Sequence, residues 1–163
     1  MNLAEKYIDD VVHNKIIVGK TIKQAVFRHL EDLKHAKERG WYFDIKTASL
    51  AVKAIRLIRH TSGKWAGQPF QLQGWQAFVL WCVYGWKLEE TKDRRFQKVY
   101  IKIARKNGKT ELLAAIACLD IILFGIEGGG IIFEMLDQGA GFGAFVKDLG
   151  LALVNATTTI HRF

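Results

Sequence analysis

Proline is almost missing: Pro69 is the only one in 163 residues, and no Gly/Ser/Pro-rich linker interrupts the first 124. Composition therefore marks no internal domain boundary there. Cysteine is nearly as scarce. Cys82 and Cys118 both sit in apolar runs; they are too few for a disulfide framework or a zinc site, and they read as reduced core residues. The histidines His13, His29, His35, His60 and His161 lack the close spacing of metal ligands and are expected on surfaces or helix faces. The longest apolar stretch, Leu112 to Ile126, is broken by Asp120 and falls short of the ~20 residues that span a bilayer. It reads as a buried helix, and no membrane partner is expected. The opening MNLAEKYIDD lacks the basic, then apolar, then small-residue order of a signal peptide. No secretion is expected.

What the chain does have is a composition of 50% hydrophobic and 25% charged residues, which suits a globular domain with a real core. Its formal net charge is +8. That balance favours phosphate-bearing partners, with ATP or nucleic acid the usual candidates, although a merely basic protein would carry the same charge.

Residues 2–14 and 21–39 read as helices; in the second, Ile22, Ala25, Val26, His29, Leu30, Leu33 and Ala36 recur at helical spacing, with Thr21 able to cap its start and Gly40 its end. Asp44 can cap a third helix, with Ile45, Ala48, Val52, Ile55 and Arg59 on one side, running until Thr61-Ser62-Gly63. The first 60 residues thus read as all-helical. Trp75 to Trp86 is apolar on nearly every side and predicts an inner helix, followed by a charged link from Glu89 to Arg95. Lys98 to Ala104 alternates with period two, as a strand does. An apolar helix from Thr110 to Phe124, a strand at Ile131 to Met135 and a helix from Asp137 onward would then complete a strand, helix, strand unit with a parallel sheet.

The sharpest motif is KVYIKIARKNGKTELLAAIA, a strand, a basic turn and a helix. Gly108 lets backbone approach a phosphate without a Cβ, and the first amides of the following helix point donors at the same anion. Lys109 brings a charge for the β- and γ-phosphates, and Thr110 a hydroxyl for Mg²⁺. The usual phosphate loop has a further glycine five residues before Gly108, where this chain has Ile103. The tripeptide alone is weak, because Gly19-Lys20-Thr21 repeats it before an amphipathic helix with no flanking strand, and there it reads as a turn and cap. Gln76, among the aromatics of PFQLQGWQAFVLWCVYGW, has an amide that can pair with the N6 donor and N7 acceptor of adenine, though taken alone it reads rather as an ordinary helix residue. Gly139, Gly141 and Gly143 do not make a dinucleotide fingerprint, since the third spacing is wrong and no clear acidic ribose partner follows.

In this order, VFRHLEDL at 26–33, WYFD at 41–44, SGKWAGQPFQLQGWQAF at 62–78 and the strand with RKNGKT resemble the terminase large subunit family of tailed phages, over roughly residues 5–125. The resemblance implies an ATPase domain of the additional-strand, RecA-like phosphate-loop class, followed in the family by a metal-dependent nuclease domain. It implies that Arg105 and Lys109 are phosphate-contacting cations, that Lys106, Asn107 and Gly108 complete the loop, that Thr110 stands on the Mg²⁺ side, and that Gln76 reads adenine. The family's loop begins with a basic residue and lacks the early glycine, so Ile103 is not a departure from it. Asp137-Gln138 resembles a pair found at the start of a later family helix.

The fold expected is therefore α/β: a helical N-terminal arm at 1–63, then an incomplete RecA-like P-loop NTPase core with a parallel sheet at 64–163, with the nuclease domain absent. ATP and Mg²⁺ are the implied cofactors. Double-stranded phage DNA, a portal protein, a small terminase subunit and further copies of the chain are the implied partners, in the cytoplasm of a bacterial host. After the loop helix, the apolar stretches Ile131 to Met135 and Leu149 to Val154 do not close on an Asp-Glu pair that could hold Mg²⁺ and activate water. No catalytic residue is assigned, and the chain is expected to bind ATP weakly at best and not to turn it over. The competing readings are a helicase-type ATPase and a non-catalytic remnant with a basic nucleic-acid-binding surface.

Overall fold

A computed structural model of the chain describes residues 1–59, 67–101 and 109–124. It divides into two compact units, one formed by Met1–Lys53 with Leu72–Tyr100, the other by Ala54–Gln71 with the residues from Ile101 onward.

The first unit begins with α1 (Leu3–Val12), capped by Asn2, whose side chain accepts from the Glu5 N–H at 2.9 Å while the Glu5 carboxylate accepts from the Asn2 N–H at 2.8 Å. This reciprocal box satisfies two donors that a helix start otherwise leaves open. Helix α2 (Lys20–His35) starts directly after Gly19, whose backbone is extended. Thr21 therefore lies inside the first turn and is not the cap expected from the sequence. A 3-10 turn at Lys37–Arg39 follows and ends on Gly40, whose φ of 68° is the left-handed conformation that favours glycine.

The next three residues correct the all-helical reading of the first 60. Trp41–Phe43 forms strand β1, which pairs antiparallel with β2 (Trp86–Leu88), Tyr42 standing opposite Lys87. Helix α3 (Ile45–Ala54) starts as expected on Asp44, which accepts from the Thr47 N–H at 3.0 Å and its hydroxyl at 2.6 Å. Lys87 of β2 donates to the same carboxylate at 2.9 Å. Of the side chains expected on one face of this helix, Ala48 and Val52 are buried, as is Ile55 just beyond it, whereas Ile45 is 60% exposed and Arg59 is exposed too. The helix ends at Ala54 and a 3-10 turn at Ile55–Leu57 follows, so the helical spacing no longer applies at Arg59.

Helix α4 (Gly74–Gly85) is the inner helix the sequence predicts. It packs against α1, and Val11, Val26 and Phe78 form a buried cluster with Tyr7, Ile8, Leu30 and Cys82 around it. Beside this lies an aromatic group: Phe43 is 5.1 Å from His29, 5.1 Å from Trp86 and 5.3 Å from Trp81, centroid to centroid. Such rings bury about 150–250 Å² each, roughly 4–6 kcal/mol of gross apolar burial per ring at 25 cal/mol per Å². Gly85 makes the approach possible, because a Cβ there would stand 2.4 Å from the Phe43 ring.

In the second unit, the 3-10 turn Ile55–Leu57 packs with α5 (Lys109–Phe124). The Phe70 N–H donates to Ile58 O at 2.8 Å, and Arg59 bridges antiparallel to Pro69. A proline suits such an edge position because the bridge does not need its missing N–H.

The described residues thus mix helices with one small antiparallel sheet, β1 with β2. They include no parallel sheet and no RecA-like core. Residues 98–101, the described part of the expected strand Lys98 to Ala104, are irregular, with Val99 49% and Tyr100 78% exposed. Period-two patterning yields a strand only where a partner completes the ladder, and no partner stands beside these residues among those described. The expected breaker Thr61-Ser62-Gly63, the strand Ile131 to Met135, the helix from Asp137, the stretch Leu149 to Val154 and the glycines between 125 and 150 lie outside the described residues.

Candidate nucleotide-binding site

The expected phosphate site is built around the start of α5. The chain becomes helical at Lys109, with Thr110 its second residue, and at these two residues the structure describes the backbone. Arg105, Lys106, Asn107 and Gly108 lie outside the described residues. The helix is rich in Ala, Leu and Ile, with neither Gly nor Pro in its interior, so the backbone runs through without a break. Leu112, Ala114, Ala115, Ala117, Cys118 and Leu119 are buried, at 3% exposure or less. Burial on so many sides holds the helix axis, and with it the direction of its opening amides. Those amides have no carbonyl partner within the helix and carry the positive end of its dipole. The helix start therefore suits an anion, which is the chemistry that a nucleotide phosphate would bring.

Gln76 lies in the other unit, at the third position of α4. It is 4% exposed, and its Oε1 accepts from the Gln73 N–H at 2.8 Å. Trp75 Nε1 donates to Gln73 Oε1 at 2.7 Å, and Gly74 opens the helix against the Tyr7 ring, which a Cβ would approach to 2.7 Å. Gln76 thus has a structural task in closing the helix start, where the sequence indicates only an ordinary helix position. A carbonyl oxygen has two lone pairs, so the cap bond leaves one acceptor direction of Oε1 for another donor.

Several polar residues matter more to the fold than the sequence indicates. His29 is 4% exposed, not on a surface; its Nδ1 accepts from Trp86 Nε1 at 3.0 Å. Burial pushes its pKa down to about 4 against the opposing pull of Asp32, so the ring is neutral at ordinary pH. Its place in the apolar set of α2, between Val26 and Leu33, is the signal that points to this. Asp32 is buried and shared between two guanidinium groups, Arg39 on Oδ1 and Arg95 on Oδ2, each at 2.7 Å. Arg95 also lies over the Trp41 ring, 3.4 Å from its centroid. Partial desolvation pushes Asp44 up, but the Thr47 hydroxyl, the Thr47 N–H and Lys87 outweigh it and hold the carboxyl well below its ordinary range. Burial pushes the thiols of Cys82 and Cys118 up to about 12 and about 11, which keeps both protonated and unreactive. Among the described residues no group of three His, Cys, Asp or Glu could hold a metal ion, and no helix is long and apolar enough to cross a membrane.

A helix that starts at Lys109 and is buried from Leu112 to Leu119 presents open amides in its first turn, and open amides suit an anion. Residues 74–135, somewhat under half of the chain, match the family model described as the terminase large subunit, ATPase domain. The match supports a terminase large subunit N-terminal ATPase region, the family that the sequence segments resemble. It begins at the first residue of α4 and takes in Gln76, residues 105–110 and all of α5. No curated protein and no solved structure matches the chain.

Proposed function

We propose that the chain binds ATP through residues 105–110 as the nucleotide-binding part of a DNA-packaging motor. The observation that carries this reading is the start of α5 at Lys109, immediately after Gly108, on a helix buried from Leu112 to Leu119. The opening amides of α5 would donate to phosphate oxygens, Lys109 would neutralise the β- and γ-phosphates, and Arg105 would add a second cation. Thr110 would present its hydroxyl to Mg²⁺, which when bound supplies charge neutralisation between those phosphates. Gln76 would read the adenine edge through the amide that also caps α4. Double-stranded DNA, a portal protein, a small terminase subunit and further copies of the chain are the partners proposed with this function, in the cytoplasm of a bacterial host.

The family matched over 74–135 favours this reading over a helicase-type ATPase. Titrating ATP with Mg²⁺ into the 163-residue chain tests it. Saturable binding that ADP competes for and that inorganic sulfate at the same ionic strength does not displace is the expected result. An absence of binding, with the chain shown to be folded by its near-ultraviolet tryptophan signal, overturns it.

A further inference from the structure

From Ile45 to Leu88 there is not one Asp or Glu, although the chain has 16 of them, and the same stretch carries Lys46, Lys53, Arg56, Arg59, Lys64 and Lys87. Some cations of the first unit are answered by acids, Lys15 by Asp9 at 2.6 Å, Lys34 by Glu31 at 3.2 Å and Arg39 by Asp32 at 2.7 Å, while the exposed Lys6, Lys20 and Lys37 have no carboxylate partner among the described residues. Helix α3 differs in carrying cations and no Asp or Glu at all. Lys46 and Lys53 are both exposed, and neither has a carboxylate partner among the described residues. The nearest acid in sequence, Asp44, is already paired with Lys87 at 2.9 Å. Seven residues separate the two lysines, about two turns, so they lie on one side of the helix roughly 10 Å apart along its axis. Leu50, 47% exposed, stands between them.

We propose that this face of α3 lies against the phosphate backbone of a nucleic acid, with Lys46 and Lys53 as its cations. The inference rests on the reading above and deepens it by naming the face that meets the DNA. A protein surface mixes charges of both signs, whereas the phosphate backbone is anionic at every repeat and rewards a face with no carboxylate at all. A lipid surface fits less well, because the apolar side of α3, Ala48, Ala51 and Val52, is buried within the protein and cannot enter a bilayer.

The test compares two double variants of the 163-residue chain that remove the same charge: Lys46→Gln with Lys53→Gln, and Lys15→Gln with Lys34→Gln. Mixed-sequence double-stranded DNA is titrated at several salt concentrations, and ATP is titrated separately. In the first variant the slope of log affinity against log salt becomes shallower by about 2, one for each phosphate that is no longer neutralised. In the second it barely moves, and ATP affinity is unchanged in both. Equal change in the two variants would reduce the effect to net charge and overturn the proposal. So would a loss seen only with anionic phospholipid vesicles or polyglutamate while DNA binding stays at the parent level. Failure of the parent to bind DNA sinks this proposal even if ATP binds; the expected DNA result without ATP binding leaves it standing and sinks the nucleotide reading.

Discussion

The tripeptide Gly-Lys-Thr occurs twice, at 19–21 and at 108–110, and each time a helix of 16 residues begins at its lysine. The local sequence thus sets a helix start in both places, and what surrounds each helix sets them apart. Helix α2 buries only Val26, His29 and Asp32, and it is fastened to its unit by polar links: Asp32 to two arginines, His29 to Trp86. Helix α5 buries a nearly continuous apolar surface from Leu112 to Leu119. A helix held by a few directional bonds can serve as scaffold, whereas one enclosed by apolar packing has its opening amides fixed in direction, as binding an anion requires. Under the proposed function, packing is what would separate the motif at 108–110 from its copy at 19–21.

The polar fastening of α2 gives the largest expected effect. Asp32→Ala leaves Arg95, 15% exposed, without its buried carboxylate, and breaking a buried pair costs about 3–5 kcal/mol at most, whereas Arg39, 44% exposed, can turn to solvent. Urea unfolding followed by tryptophan fluorescence checks this; a loss below about 1 kcal/mol would mean that Asp32 does not hold α2.

Acid attacks the same helix at a second point. The folded-state pKa of His29, about 4, lies below its ordinary 6.5, so between those values the unfolded chain takes up the proton and the folded chain does not. The stability tied to neutral His29 is complete above pH 6.5 and is lost as pH falls toward 4, by about 3 kcal/mol at most. Asp44, held below its ordinary 3.8, contributes stability present above that value and adds its own loss only at lower pH. His29→Gln, uncharged and able to accept from Trp86, should flatten the curve of unfolding midpoint against pH between 6.5 and 4.5. An unchanged slope in that variant would assign the acid sensitivity to another group.

A smaller effect belongs to Gln76. Gln76→Ala removes the oxygen that caps α4, at a cost of about 1 kcal/mol, and should also relax a preference for ATP over GTP. Measuring both separates the two tasks: reduced stability with unchanged base preference leaves Gln76 as a cap alone.

How much is legible in the sequence differs along the chain for physical reasons. Helices α2 and α3 announce themselves through apolar spacing, α4 and α5 through continuous apolarity, and Asp44 and Gly40 through cap chemistry, because those signals lie within one or two turns. Strand β1 is invisible by the same rules: three residues show no period, and its partner β2 lies more than forty positions onward, directly after a helix that ends at Gly85. His29 reads as a helix-face residue because histidine is usually exposed, yet its core position follows from the stripe that contains it. The link 89–95 reads only as charged, and the fold shows that its Arg95 turns inward to Asp32 and Trp41. For the candidate site, the turn and the helix after it are legible in the sequence, and the structure adds where that helix begins and how it is buried.

The central claim is that packing, not the tripeptide, makes one Gly-Lys-Thr helix start a nucleotide site. Titrating ATP with Mg²⁺ into Lys20→Ala and Lys109→Ala side by side tests it most directly. The predicted result is parent-like affinity for Lys20→Ala and a loss of about 100-fold for Lys109→Ala, the scale of two charge-assisted bonds to phosphate. Equal losses in the two variants, or parent-like binding by Lys109→Ala, would contradict it.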